Sequence, residues 1–215
     1  MRVIVVALAF AALGGCGGHP LPPNGVIQAD LGDWRYWRFQ RVLDVEVWVP
    51  NNKAEAFTAS YVPLAAERTG HPADKDLVNV FVTRYSTDLG VLRETVKFAR
   101  RLAAEQGYQV DEGKIGGARA LTINGHGESW VMWPAKGYVV KVGGRGRETV
   151  PSNLVASYAD RYPSDLPGGV LEGPLPPGPD DKPKEEKQPY DPNNPTPDLD
   201  KYDPNKSKLP AKHNE

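Results

Sequence analysis

The chain has one cysteine, Cys16, in 215 residues. A single thiol excludes an internal disulfide and any site built on several thiolates, so the fold must be held by its core alone. Excess charge is missing too: 26 Lys and Arg against 27 Asp and Glu leave a formal net charge of −1. That balance gives no electrostatic footprint for nucleic acid or an acidic polymer. No apolar run approaches the ~20 residues of a membrane-spanning helix. The histidines His19, His71, His126 and His213 lie far apart, and no H-x-x-H pair exists to hold a metal on one helix face. No serine sits in G-x-S-x-G; Gly127-Glu128-Ser129-Trp130 lacks the second glycine of a nucleophile elbow. Gly113-Lys114 is followed by Ile115, not by the hydroxyl a phosphate loop uses to hold magnesium. The expectation is a protein without catalytic machinery, metal or cofactor.

What is present begins at the first residue. Arg2 precedes an apolar run from Val3 to Leu13, and Gly14-Gly15 follow it directly ahead of Cys16. One positive charge, a short apolar stretch and small residues behind it describe an export signal. Leu13-Gly14-Gly15-Cys16 resembles the lipobox of bacterial lipoproteins. The resemblance implies that residues 1–15 are removed and that Cys16 becomes the acylated first residue, anchored in membrane lipid. Several acyl chains on one residue anchor stably where one chain does not. Gly17 stands where aspartate would resemble an inner-membrane retention signal, so the same resemblance implies the outer membrane.

The rest of the chain divides by composition. Residues 16–30 are rich in Gly and Pro and read as a flexible tether, His19 included. Residues 31–165 hold most of the apolar side chains and suffice for one domain with its own core. Residues 166–215 read as a disordered tail: 12 of the 21 prolines fall in 167–215, with no Phe, Trp, Ile or Met to bury. Within the tail, Tyr190-Asp191-Pro192-Asn193 recurs as Tyr202-Asp203-Pro204-Asn205, which makes Tyr190 and Tyr202 candidate docking residues; drift in a low-complexity segment accounts for the repeat equally.

The domain opens on Trp34-Arg35-Tyr36-Trp37-Arg38-Phe39-Gln40-Arg41. This is either a first strand whose aromatics cap the core, or a contact surface for lipid headgroups or a partner, since Trp and Arg favour interfaces. Trp34, Arg35, Trp37 and Arg38 are the candidate contact residues. Val42 to Pro50 alternates as a strand, with Leu43, Val45, Val47 and Val49 on one face. Lys53 to Phe57 suggests a helical turn and Thr58 to Leu64 a strand broken by Pro63. His71 lies in a polar loop, and Leu77 to Tyr85 is a second strand. Ser86 to Gly107 carries the strongest helical stripe, Leu89, Leu92, Val96, Ala99 and Ala103, with Ser86, Thr87 or Asp88 to cap it and a charged face for solvent. Strands follow at Tyr108–Val110, Lys114–Ile123, Ser129–Trp133 and Tyr138–Val142, then a shorter helix from Val150 that Pro163 stops.

These elements define an α+β fold, an antiparallel sheet with one long and one shorter helix packed on it, followed by the Pro-rich tail. The long helix, then Ile115-Gly116-Gly117-Ala118-Arg119-Ala120-Leu121-Thr122, then a hairpin returning through Tyr138-Val139-Val140-Lys141-Val142, resembles the PsbP-like sandwich. That group includes photosystem accessory proteins and mycobacterial lipoproteins of the LpqN type. The resemblance implies a binding or assembly role and assigns no site.

Two local clusters carry chemistry. His126 and Glu128 sit between glycines at a strand end, where a general base could form; a tight turn accounts for them equally. Arg145 and Arg147 in Gly143-Gly144-Arg145-Gly146-Arg147 could bind an anion; a flexible basic turn is the plain alternative. The sequence thus points to a lipid-anchored accessory or assembly subunit of a cell-envelope complex with a protein partner. A carrier of a small apolar ligand is the alternative, and an enzyme using His126 and Glu128 stands third.

Overall fold

A computed structural model of the chain describes residues 20–178 and residue 181. Seven strands form one antiparallel sheet: β1 (Trp34–Val42), β2 (Ala54–Pro63), β3 (Val78–Tyr85), β4 (Tyr108–Ile115), β5 (Ala118–Gly125), β6 (Glu128–Ala135) and β7 (Tyr138–Arg145). The helices are a single turn, α1 (Leu64–Glu67), the long α2 (Val91–Ala104) and α3 (Ser152–Ala159). The spatial order is β1-β2-β3-β7-β6-β5-β4. Helix α2 therefore carries the chain from β3 to the far edge, and the β4–β7 meander returns to pair with β3. The class is α+β, dominated by sheet.

Alternation along the strands separates two faces. On one, Val78, Val80 and Val82 of β3, Ala59 and Tyr61 of β2, and Val140 and Val142 of β7 pack with Leu154, Val155 and Tyr158 of α3. On the other, Phe81, Leu121, Ile123, Trp130, Met132 and Val139 pack with Val91, Val96 and Ala99 of α2. Strand β6 is covered on both faces and buried from Ser129 to Ala135. Its sequence S-W-V-M-W-P-A accordingly shows no polar alternation.

Several expectations need correction. Val42 to Pro50 is not a strand. The sheet edge is taken by Trp34–Val42, and residues 43–53 fold back over the α2 face as a strap. Val47 and Val49 are buried there, whereas Leu43, from the same alternating set, is 95% exposed. The Tyr85 hydroxyl donates to the Val47 carbonyl at 2.6 Å, and Glu46 is paired with Lys141. Lys53 to Phe57 makes no helical turn: β2 runs unbroken from Ala54, because pairing with β1 and β3 on both sides outweighs the helical preference of Ala and Glu. Lys114 to Ile123 is two strands. Gly116 and Gly117 both have positive φ, 56° and 85°, which makes the tight turn that suits a two-residue hairpin. Helix α2 starts at Val91, since Gly90 at φ 77° interrupts the turn before it and the Thr87 amide and carbonyl are bound by the Asn52 side chain. Leu89 is thereby left outside the helical stripe, 60% exposed.

The domain is also longer than 31–165 at both ends. Val26 and Ile27, read as tether, are buried. The Ile27 amide donates to the Tyr158 hydroxyl at 2.9 Å, the Tyr61 hydroxyl donates to the Ile27 carbonyl, and the Tyr162 hydroxyl donates to the Gly25 carbonyl at 2.5 Å. At the other end Leu166 and Val170, read as tail, are buried against the α2 face. Both Glu112 carboxylate oxygens accept backbone amides there, from Gly169 and Val170 at 2.8 Å each. Arg100 donates to the carbonyls of Val170 and Gly173, and Arg93 to that of Pro176. The charged face of α2 is thus partly occupied by this C-terminal segment rather than by solvent alone. Polar anchors replace hydrophobic density, which is why a Gly- and Pro-rich composition concealed the docking.

Candidate functional site

Strand β1 is the outer strand of the sheet, paired with β2 on one side. Along its other edge no further strand pairs among the described residues; the Leu31–Trp34 bridge and the Asp30 carboxylate, which accepts the Tyr36 amide at 2.9 Å, meet it near its start. The register with β2 slips between Tyr36 and Arg38, so Trp37 is the extra residue of a β-bulge. That bulge resets the alternation. Trp34, Tyr36 and Phe39 lean on the core, Tyr36 edge-on to Tyr61 at 6.3 Å and Phe39 stacked on Phe57 at 6.2 Å. Trp37, Arg38, Gln40 and Arg41 face outward. An unpaired edge invites indiscriminate strand pairing; a bulge and long cations are the usual means of discouraging it.

The arginines of this strand are mostly committed. Arg35 is ion-paired with Asp30 and lies 3.7 Å from Glu67. The amide of Tyr36, together with the Arg35 guanidinium, holds the Asp30 carboxyl below the usual carboxylate range. Arg38 donates to Ser60 Oγ at 3.4 Å, and Ser60 in turn donates to Asn79 at 2.6 Å. Arg41 and Arg84 share Glu55 at 3.0 and 2.6 Å, with Arg84 also 6.0 Å above the Phe57 ring. Of the four contact residues named from sequence, Trp34 and Arg35 therefore fix the strand, while Trp37 and Arg38 are displayed by it.

The two arginines considered for an anion are engaged separately. Arg145 pairs with Glu128 at 2.7 Å. Arg147 lies 5.5 Å above the Trp34 ring and donates to the Lys75 carbonyl at 2.6 Å. Burial lowers its pKa. His126, at φ 49°, and Gly127, at φ 75°, form the two-residue β5–β6 turn, with the imidazole edge-on to Tyr108 at 4.8 Å. Glu128 begins β6 and accepts from Trp130 Nε1 at 2.8 Å as well as from Arg145. Partial burial pushes its carboxyl up, but those two hydrogen bonds and the charges of Arg145 and Lys141 outweigh it, and the carboxyl titrates below its ordinary value. A carboxylate held in that state is a weak base.

One cluster had no signal in the sequence. Under the strap a cavity of about 270 Å³ is lined by Val42, Val45, Val47, Phe81 and Val139, with Asp44, Glu46, Thr83 and Lys141 at its polar side. Lys141 Nζ lies 4.0 Å from the centre of a Trp130 ring. In sequence Lys141 is merely the polar residue between Val140 and Val142. Its role follows from the strap folding over it.

Among the described residues no helix is long and apolar enough to cross a membrane, and no three His, Cys, Asp or Glu side chains are grouped to hold a metal. Cys16, Tyr190 and Tyr202 lie outside the described residues. Beside this geometry, no family model matches the chain, and no curated protein and no solved structure matches it either.

Proposed function

We propose that the protein is a lipid-anchored accessory subunit of a bacterial envelope complex, held in the outer membrane through Cys16 and touching a protein partner along β1. The observation that carries this reading is the bulged outer strand. It leaves Trp37 38% exposed beside Arg38, Gln40 and Arg41, on a rigid sheet edge. Aromatic and arginine side chains on a fixed element supply contact area at low entropic cost and are the residue types that dominate interface energetics. The guarded edge favours contact through these side chains over addition of a partner strand. The test places a photo-cross-linking residue at Trp37 in the full-length protein in cells. A single cross-linked envelope protein, lost when Arg38 and Arg41 are changed to glutamate, supports the reading. A chain that cross-links to nothing at this position while remaining membrane-bound overturns it. Fatty-acid labelling that disappears in Cys16→Ser tests the anchor separately.

The strap cavity favours a second reading, carriage of a small ligand. Its volume lies just below the usual range of small-molecule sites, and its valine and phenylalanine walls, with Asp44, Thr83 and the Glu46–Lys141 pair beside them, suit a small ligand with an apolar body and a polar end. Native mass spectrometry of the detergent-purified protein would show a retained mass, absent in Val139→Trp.

A further inference from the structure

One end of the sheet gathers the close of β1, the start of β2, the close of β3, the β6–β7 turn and the start of α2. Large apolar side chains are exposed there in a way they are not elsewhere among the described residues. Leu43 is 95% exposed, Trp48 70%, Leu89 60% and Leu21 46%, the four highest values for large hydrophobics. All four belong to this end. Leu43 and Trp48 lie on the strap, whose Asn52 donates to the carbonyls of Thr87 and Leu89. Leu21 lines a hollow with Lys136 and Tyr138 of the β6–β7 turn, and Gly137 of that turn accepts the amide of Tyr85, two residues before Thr87. The opposite end is polar, with His71, Asp74, Lys75, Glu128, Arg145 and Glu148 around its turns; the large hydrophobics exposed on that side, Trp37 of β1 and Leu64, are at only 38% and 37%.

The chain leaves the described domain at the apolar end. Pro20 follows Cys16 by four residues, a span of at most about 14 Å when fully extended. The headgroup layer on each side of a bilayer is itself on the order of 6 Å thick. An acylated Cys16 therefore brings this end, not the polar one, against the membrane. Tryptophan and leucine at a water–hydrocarbon boundary gain by burying their apolar bodies. We infer that the end of the domain bearing Leu21, Leu43, Trp48 and Leu89 rests in the headgroup layer of the bilayer that holds the anchor. The inference rests on acylation of Cys16, as proposed above.

The sole cysteine makes the test selective. The full-length protein is purified from membranes and reconstituted into vesicles of phosphatidylethanolamine and phosphatidylglycerol with brominated acyl chains. A thiol-reactive fluorophore is then attached in Leu43→Cys, Trp48→Cys, Leu89→Cys and, at the polar end, His71→Cys. Leu43 is so exposed that its replacement leaves the fold untouched, which protects the result against a misfolded variant. The expected result is strong quenching by bromine at positions 43, 48 and 89, with none at 71, and the reverse order for iodide in the water. Equal access of iodide to all four positions overturns the inference. Shielding of 43, 48 and 89 from both quenchers also overturns it, since a protein would then cover this end. Labelling of the unsubstituted chain would show that Cys16 is a free thiol, which removes the anchor and the inference with it.

Discussion

The hydroxyls of Tyr61 and Tyr158 lie 2.8 Å apart and together bind both backbone groups of Ile27. Tyr61 rises from β2 and Tyr158 from α3, 97 positions apart in sequence, so the pair joins sheet, helix and N-terminal segment at one buried point. Tyr162 adds a third hydroxyl on the Gly25 carbonyl. These contacts convert what composition presents as a tether into part of the core.

Tyr158→Phe should be costly for its size. Removing the hydroxyl leaves the Ile27 amide buried without its acceptor, and an unmet buried donor costs about 1–3 kcal/mol. Urea unfolding should show a loss of that order. Limited proteolysis should find new cleavage around residues 24–30, because the damage is local to the docked segment. An unchanged cleavage pattern would mean the apolar contacts of Val26 suffice to hold it.

Stability should fall at alkaline pH for the same reason. Burial raises the pKa of Tyr61, Tyr85, Tyr158 and Tyr162 well above the ordinary phenol value. Above pH ~10 the unfolded chain releases phenolic protons that the native state keeps. The native state then binds more protons, so the unfolding free energy declines as pH rises, by about 1.4 kcal/mol per pH unit for each such group. Below pH ~10 the same groups leave stability flat. Denaturant midpoints measured from neutral pH upward, with tyrosinate absorbance followed in parallel, check this; Tyr158→Phe should show the shallower decline.

The sheet, the two main helices and their order were legible because each rests on a local pattern: period-2 alternation in β3 and β7, the 3.6-residue stripe of α2, glycine pairs at turns. The strap shows where such a pattern misleads. Val45, Val47 and Val49 alternate as a strand would, yet with β1 already at the sheet edge the valines are buried by folding over a face instead. The docked ends were illegible for another reason. Ile27 is held by tyrosines more than 30 residues away, and Val170 by Glu112 and Arg100 on β4 and α2. No short window contains both partners. At the candidate contact surface, the residue types of Trp34 to Arg41 were evident, but the division between Trp34 and Arg35, which fix the strand, and Trp37 and Arg38, which it displays, depends on a bulge that only the pairing with β2 reveals.

Gly116 and Gly117 allow backbone strain to be separated from helix packing. Both have positive φ, so alanine at either position should cost about 1–2 kcal/mol from conformation alone. A Cβ on Gly117 meets nothing, whereas one on Gly116 would sit 2.5 Å from the Ala156 amide nitrogen and 2.6 Å from the Ser152 carbonyl oxygen of α3. Those are backbone atoms and cannot swing aside. Gly116→Ala should therefore exceed Gly117→Ala by a further ~1–3 kcal/mol, the usual penalty of overpacking. Equal losses in thermal unfolding would show that α3 is free to shift away from the β4–β5 turn.

Thr58 and Ser60 occupy the same face of β2 two residues apart, both buried, and should respond to loss of a hydroxyl in opposite directions. Among the described residues Thr58 Oγ1 has no hydrogen-bond partner, while Ser60 Oγ donates to Asn79 and accepts from Arg38. Thr58→Val keeps the branched shape that suits a strand and removes a hydroxyl whose desolvation is uncompensated, so stability should rise by about 1 kcal/mol. Ser60→Ala strands the Asn79 acceptor and should lower stability by a similar ~1 kcal/mol. Both changes are small in volume, so cavity effects do not decide the sign. Denaturant unfolding of the two variants side by side checks the contrast; a loss in Thr58→Val would mean that its hydroxyl finds a partner in solution.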